Sequence, residues 1–134
     1  MEKSLPVTSS LQDYLEVILS LSEEDENVRV TDIASSLNIA KASVSQALST
    51  LKKEGLITQS RYGPVQLTEK GKEYAHQVRR RHEVIRFFLM EVLGVSPEIA
   101  ERDACLLEHE LSPQTFACLL TFLEERSLTP DFDK

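Results

Sequence analysis

A chain of 134 residues fits one domain, or two small joined ones, and leaves no room for a third. With 41% hydrophobic and 28% charged residues, four glycines and five prolines, it is neither disordered nor collagen-like, and helix should dominate. The net charge of −7 argues against nucleic acid only until its distribution is read: residues 29–81 carry ten Lys or Arg against four Asp or Glu, a balance of +6, and the rest carries five against eighteen.

In residues 9–23, Leu11, Tyr14, Leu15, Ile18, Leu19 and Leu21 form one broad stripe, which predicts a first helix capped by Ser9 or Ser10 and ending at the acidic loop SEEDEN. A second helix is expected over 30–38, with Thr31 as N-cap and Ile33, Ala34 and Leu37 inward. After a short turn, residues 41–54 give a third, with Val44, Ala47, Leu48 and Leu51 inward and Glu54-Gly55 at its end. The β-prone runs 56–58 and 65–68 flank SRYGP, so a two-stranded hairpin follows. Helix, helix and hairpin in this order make a winged helix-turn-helix. Thr68 is placed to cap a helix of about 22 residues that no proline interrupts. Gly94 stops it, Ser96 begins another helix over 97–111, and Ser112-Pro113 opens a last one running to about Arg126. The tail SLTPDFDK should fray. The fold class is therefore mainly α, with a winged helix-turn-helix, DNA-binding domain over 1–70 and an all-helical domain over 71–134, for which the residues and the resemblance taken up below lead us to expect dimerisation and metal binding.

The third helix is the element expected in the major groove, which is wide enough to admit it. Ser43, Ser45, Gln46 and Ser49 offer short or amide side chains to base edges and phosphates, while Lys41, Lys52, Lys53 and the wing's Arg61 suit phosphate. Gln46 is the first candidate for base contact. The run Arg79-Arg80-Arg81 has a weaker claim, because charges on a long helix commonly form a solvated face.

Six metal-capable side chains lie on either side of this module: Asp13 and Glu16 before it, His82 after it, and Cys105, Glu108 and His109 near the end. Residues three and four apart on a helix share a face and can converge on one ion. Carboxylate and imidazole accept Mn(II) or Fe(II), while a thiolate pulls preference toward the softer Fe(II), Co(II) or Zn(II), so the residue types leave open which of these divalent metals binds and whether one or two ions sit in each subunit. Cys118, among Phe116, Leu119 and Leu120, is expected in the core, and His76 faces away from the set. Both cysteines should be reduced: they do not form a disulfide framework, and without an apolar leader or a membrane-length run the chain is expected in the cytoplasm.

The segments SLQDYLEVI, IASSLNIAKASVSQALSTLKKEGLI, VQLTEKGKEYA, RRHEVIRFFL, LGVSPEIAERDA and LEHELS resemble the diphtheria toxin repressor family of metal-dependent repressors, in its two-domain manganese transport regulator branch. The resemblance implies a homodimer that binds palindromic operator DNA when metal is loaded and represses metal-uptake genes. It also implies ligands at Asp13, Glu16, His82, Glu108 and His109, whereas Cys105 stands where the manganese branch has a glutamate. Cysteine there is similar to the iron-responsive branch, which has a methionine at the position of Asp13. Ala42 replaces a proline of some relatives, and the length leaves no room for the SH3-like third domain of iron-responsive members.

Dimerisation is further suggested by VIRFFLMEVLGV and FACLLTFL, whose large side chains exceed what two packed helices can bury. An enzyme is excluded as a reading by the few glycines, the lack of a phosphate-cradling motif and the lack of a nucleophile beside a base. The alternative reading is a winged-helix repressor that answers an organic ligand, with the six residues incidental.

Overall fold

The computed structural model describes residues 9–61 and 63–128. Its contacts divide the chain into two units, one ending at Gln77 and the other beginning at Val78, and the division falls inside a continuous helix.

The first unit holds α1 (Ser9–Glu24), α2 (Val30–Leu37), α3 (Lys41–Lys53), the strands β1 (Ile57–Gln59) and β2 (Val65–Leu67), and the first turns of α4 (Glu69–Glu91). The α1 stripe is inward as its spacing requires: Leu15 and Ile18 are fully buried beside Tyr14 and Leu19, with Leu11 and Leu21 partly buried at its margins. Ser9 and Ser10 are already helical, so neither is the cap, and whatever precedes them lies outside the described residues. The N-cap of α2 is Arg29 rather than Thr31. Arg29 is extended and its N–H donates to Asp32 Oδ2 at 3.0 Å, so the acid at N3 reaches back to satisfy a donor that the helix leaves open. The turn into α3 is made by Asn38, left-handed at φ 55°, with the Ile39 N–H returning to the Ala34 carbonyl at 3.1 Å. On α3, Val44, Leu48 and Leu51 are buried.

The hairpin is antiparallel, pairing Ile57 with Leu67, Thr58 with Gln66 and Gln59 with Val65. A third segment joins it: Val28 bridges Val65, whose N–H donates to the Val28 carbonyl at 2.8 Å. Thr68 performs its expected capping role, accepting from the Gly71 N–H at 3.0 Å and donating its own hydroxyl to the Gly55 carbonyl at 2.7 Å. The first turn of α4 lies so close to the segment that follows α3 that a Cβ on Gly71 would clash with the Leu56 carbonyl oxygen.

The second unit holds the remainder of α4, α5 (Pro97–Glu110) and α6 (Pro113–Glu125). Its core is Val84, Ile85, Leu89, Ala100, Ala104, Phe116 and Leu123, with Phe88 meeting Phe122 edge to face at 5.8 Å. Gly94, at φ +72°, reverses the chain after α4, a conformation in which a Cβ would be strained. Ser112 caps α6 by accepting from the Thr115 N–H at 3.1 Å. Arg81 has a structural task within the basic run: it donates to the Leu111 carbonyl at 2.7 Å and lies 5.1 Å over the Phe116 ring.

Cys118 is exposed, contrary to its expected place in the core. Phe116, Leu119, Leu120 and Leu123 set the inward stripe of α6, and a residue two positions after Phe116 falls on the far side of it. The tail expected to fray lies outside the described residues from position 129 onward.

Candidate metal centre

The geometry of the site begins with a buried stripe on α5. Ala100, Ala104 and Glu108 recur every fourth position and are all buried, so Glu108 continues an alanine row into the interior. The spacing also carries Cys105 alongside Glu108, and His82 comes in from α4. One ligand atom from each of His82, Cys105 and Glu108 lies within 4.8 Å of the other two.

Both ring nitrogens of His82 are occupied by carboxylates. Nδ1 is 3.1 Å from Glu108 Oε1 and Nε2 is 2.9 Å from Glu101 Oε2. Glu101 also stands 3.2 Å from Arg86 Nε through its other oxygen and accepts from the Cys105 thiol at 3.7 Å. Sequence reasoning did not single out Glu101 or Arg86. The spacing rule that grouped Cys105 with Glu108 finds both when extended, since Glu101 is four residues before Cys105 and Arg86 four after His82.

This enclosure raises the pKa of His82 from 6.5 to about 9: the hydrogen bond to Glu108 dominates, burial opposes it, and Glu101 adds to it. The raised value means that the charged imidazole stabilises the metal-free fold fully below pH 6.5, and that this contribution is lost as pH climbs through about 9. Coordination needs a neutral imidazole and a thiolate, so loading must release protons. Metal affinity should therefore climb about tenfold or more per pH unit from pH 7 while His82 stays protonated, and less steeply as pH approaches about 9. Calorimetry in buffers of differing ionisation enthalpy measures the release; an affinity flat across this range would contradict the assignment of His82.

The residues fit a divalent cation on two counts. Glu108 Oε2 is buried and has no hydrogen-bond partner among the described residues, an anionic oxygen that its surroundings leave unsatisfied. The donor set of nitrogen, sulfur and carboxylate oxygen is one that first-row divalent metals accept.

The other three expected ligands are not part of this trio. His109 follows Glu108 on α5 and is half-buried. Asp13 and Glu16 belong to the first unit, on α1, Asp13 exposed and Glu16 half-buried. Of the expected DNA-contacting residues, Lys41, Ser43, Ser45, Gln46, Ser49 and Lys52 are exposed on α3, and Arg61 is exposed in the hairpin loop. Lys52 is also tied to the hairpin, its ammonium donating to the Gln59 carbonyl at 3.2 Å. Among the described residues, no helix is long and apolar enough to cross a membrane.

A winged helix-turn-helix followed by a helical unit with a candidate metal cluster agrees with the class that the family matches give, a metal-responsive transcriptional repressor, a DNA-binding protein and not an enzyme. The chain belongs to the iron dependent repressor family: residues 6–65 match its N-terminal DNA binding domain, and residues 68–134 match its metal binding and dimerisation domain. It is 34% identical over 120 residues to an HTH-type transcriptional regulator of Methanocaldococcus jannaschii, covering 89% of this chain and 96% of that protein. With the transcriptional regulator MntR of Salmonella typhimurium it shares 36% identity over 121 residues, 90% of this chain and 76% of MntR. Among solved structures, the manganese regulator SloR superposes with a TM-score of 0.74 at 32% identity, covering 85% of this chain. This chain spans 53% of the SloR chain.

Proposed function

We propose that this chain acts in the cytoplasm as a homodimer that binds a palindromic operator when loaded with Mn(II) or Fe(II), and so represses genes for uptake of that metal. The observation that carries the reading is the convergence of His82, Cys105 and Glu108, the last of which keeps a buried carboxylate oxygen that has no hydrogen-bond partner among the described residues. In this reading Asp13, Glu16 and His109 complete the ligand set. A bound divalent ion supplies the positive charge that draws carboxylates from separate helices together. The reading head is the domain over residues 1–70, with Gln46 reading bases, Ser43, Ser45 and Ser49 bonding bases or phosphates, and Lys41, Lys52 and Arg61 neutralising phosphate. The domain over 71–134 pairs two subunits, and exposed Leu93, Ile99 and Leu106 supply apolar surface for that pairing. The manganese choice draws support from the relatives named MntR and SloR, and iron from the thiol at Cys105.

The test is an anaerobic panel of Mn(II), Fe(II), Co(II) and Zn(II), read by affinity for a duplex selected from a random pool by the loaded protein. Cys105→Glu should retain manganese activation and lose about tenfold in response to the softer ions, in line with the preference of thiolate for them. Wild-type preference throughout in the variant would remove Cys105 from metal selection, and equal DNA affinity with and without every ion would overturn the metal-responsive reading itself.

A further inference from the structure

We propose that Glu101 is the metal-free occupant of the ligand atoms of His82 and Cys105, and thereby sets the cation concentration at which the site fills. The proposal rests on the metal-responsive reading above and specifies how the same site is regulated.

An imidazole nitrogen bonded to a carboxylate cannot at the same time direct its lone pair at a cation. His82 has both nitrogens so engaged, with Glu101 at 2.9 Å and Glu108 at 3.1 Å, so one carboxylate must let go before the ring can ligate. Glu108 is not the one to leave. Its side chain is only 3% exposed, and release would strand a buried charge. The Glu101 side chain is 53% exposed, and water can receive it.

The same Glu101 oxygen accepts from the Cys105 thiol at 3.7 Å, so one movable carboxylate covers two of the three clustered ligands. The Arg86 guanidinium lies on the other side of that carboxylate, its Nε 3.2 Å from Oε1, an ion-pair distance without hydrogen-bond geometry. Arg86 also offsets the charge of Glu101 as seen by an approaching cation. Removing Glu101 therefore sacrifices little long-range attraction and chiefly uncovers the nitrogen and the sulfur. Glu101 is thus a positioning residue that competes with metal, and its sign is opposite to that of a ligand.

Anaerobic titration with Co(II), followed by the thiolate-to-metal absorption band, tests the proposal. It compares wild type with Glu101→Ala, which removes the carboxylate, and Glu101→Asp, which keeps the charge but is too short to hold the contact. Both variants should bind Co(II) roughly five- to tenfold more tightly than wild type, the size of a partly solvated, charge-assisted hydrogen bond. The band should keep its position, since the ligands are unchanged, and circular dichroism should report the same helix content. Weaker binding by Glu101→Ala would make Glu101 a ligand, and unchanged binding would make it a bystander; either result overturns the proposal. A wild-type chain that takes up no Co(II) would overturn the parent reading, and this proposal with it.

Discussion

His82→Ala should lower affinity for Mn(II) or Co(II) by more than about 100-fold, beyond the 10- to 100-fold typical of losing a group that only supports a ligand. His82 is the nitrogen donor of the clustered trio and is hydrogen-bonded to Glu108 Oε1. The same change should cost the metal-free protein about 3 kcal/mol at pH 7, the lower end for breaking a buried ion pair, because it leaves the buried Glu108 carboxylate without its imidazole partner. Thermal unfolding in chelator from pH 5 to 9 separates the two effects. The deficit should shrink toward pH 9, where His82 loses its proton in the wild type as well. Unaltered metal affinity in a folded variant would remove His82 from the site.

Gly71→Ala is expected to destabilise the first unit by about 3 kcal/mol, at the upper end for an added methyl in a packed interior. A helix normally gains from alanine in place of glycine by roughly 0.5–1 kcal/mol, so the predicted sign is the reverse of propensity. The reason is contact: the new Cβ would clash with the backbone oxygen of Leu56, and no side-chain rotation relieves a clash with backbone. Relief requires moving α4 away from Leu56, which lengthens the Thr68 bonds to Gly71 and Gly55. Urea unfolding and DNA affinity should therefore fall together. A variant as stable as wild type would show that this approach is looser than described.

The helices were readable because each carries a strong period and most end at a residue with a local reason to end them. Leu15, Ile18, Val44, Leu48 and Leu51 are buried where their spacing put them, and Thr68, Gly94 and Ser112 act at the positions they mark. What escaped was non-local or backbone-borne. Val28 follows an acidic loop with no strand pattern, and its bridge to Val65 is made by main-chain atoms that any side chain would permit. Arg29 caps α2 because Asp32 reaches back to its N–H, a bond that a search for a hydroxyl at the cap passes over.

For the site, side-chain chemistry and helical spacing were enough to select His82, Cys105 and Glu108. Glu101 and Arg86 are not legible in the sequence taken singly, because each looks like an ordinary solvated charge until the two helices are brought together. Cys118 was misplaced for the opposite reason: apolar neighbours in sequence suggested the core, while the angle around α6 turns it outward.

Coupling between ion and DNA is reciprocal: whatever factor the metal adds to DNA affinity, DNA must add to metal affinity. Reorienting a population from 1:99 to 99:1 in favour of the DNA-competent form takes ~5.5 kcal/mol of differential binding, within reach of transition-metal coordination. The decisive measurement is the affinity of one selected duplex for the chelator-stripped and the Mn(II)- or Fe(II)-loaded protein, at fixed salt, with His82→Ala alongside. A control of DNA reading by the His82–Cys105–Glu108 cluster predicts at least about a 100-fold gain on loading in the wild type, a coupling at the strong end of the usual range, and none in the variant. Equal affinity of stripped and loaded wild-type protein, or an undiminished gain in His82→Ala, would contradict it.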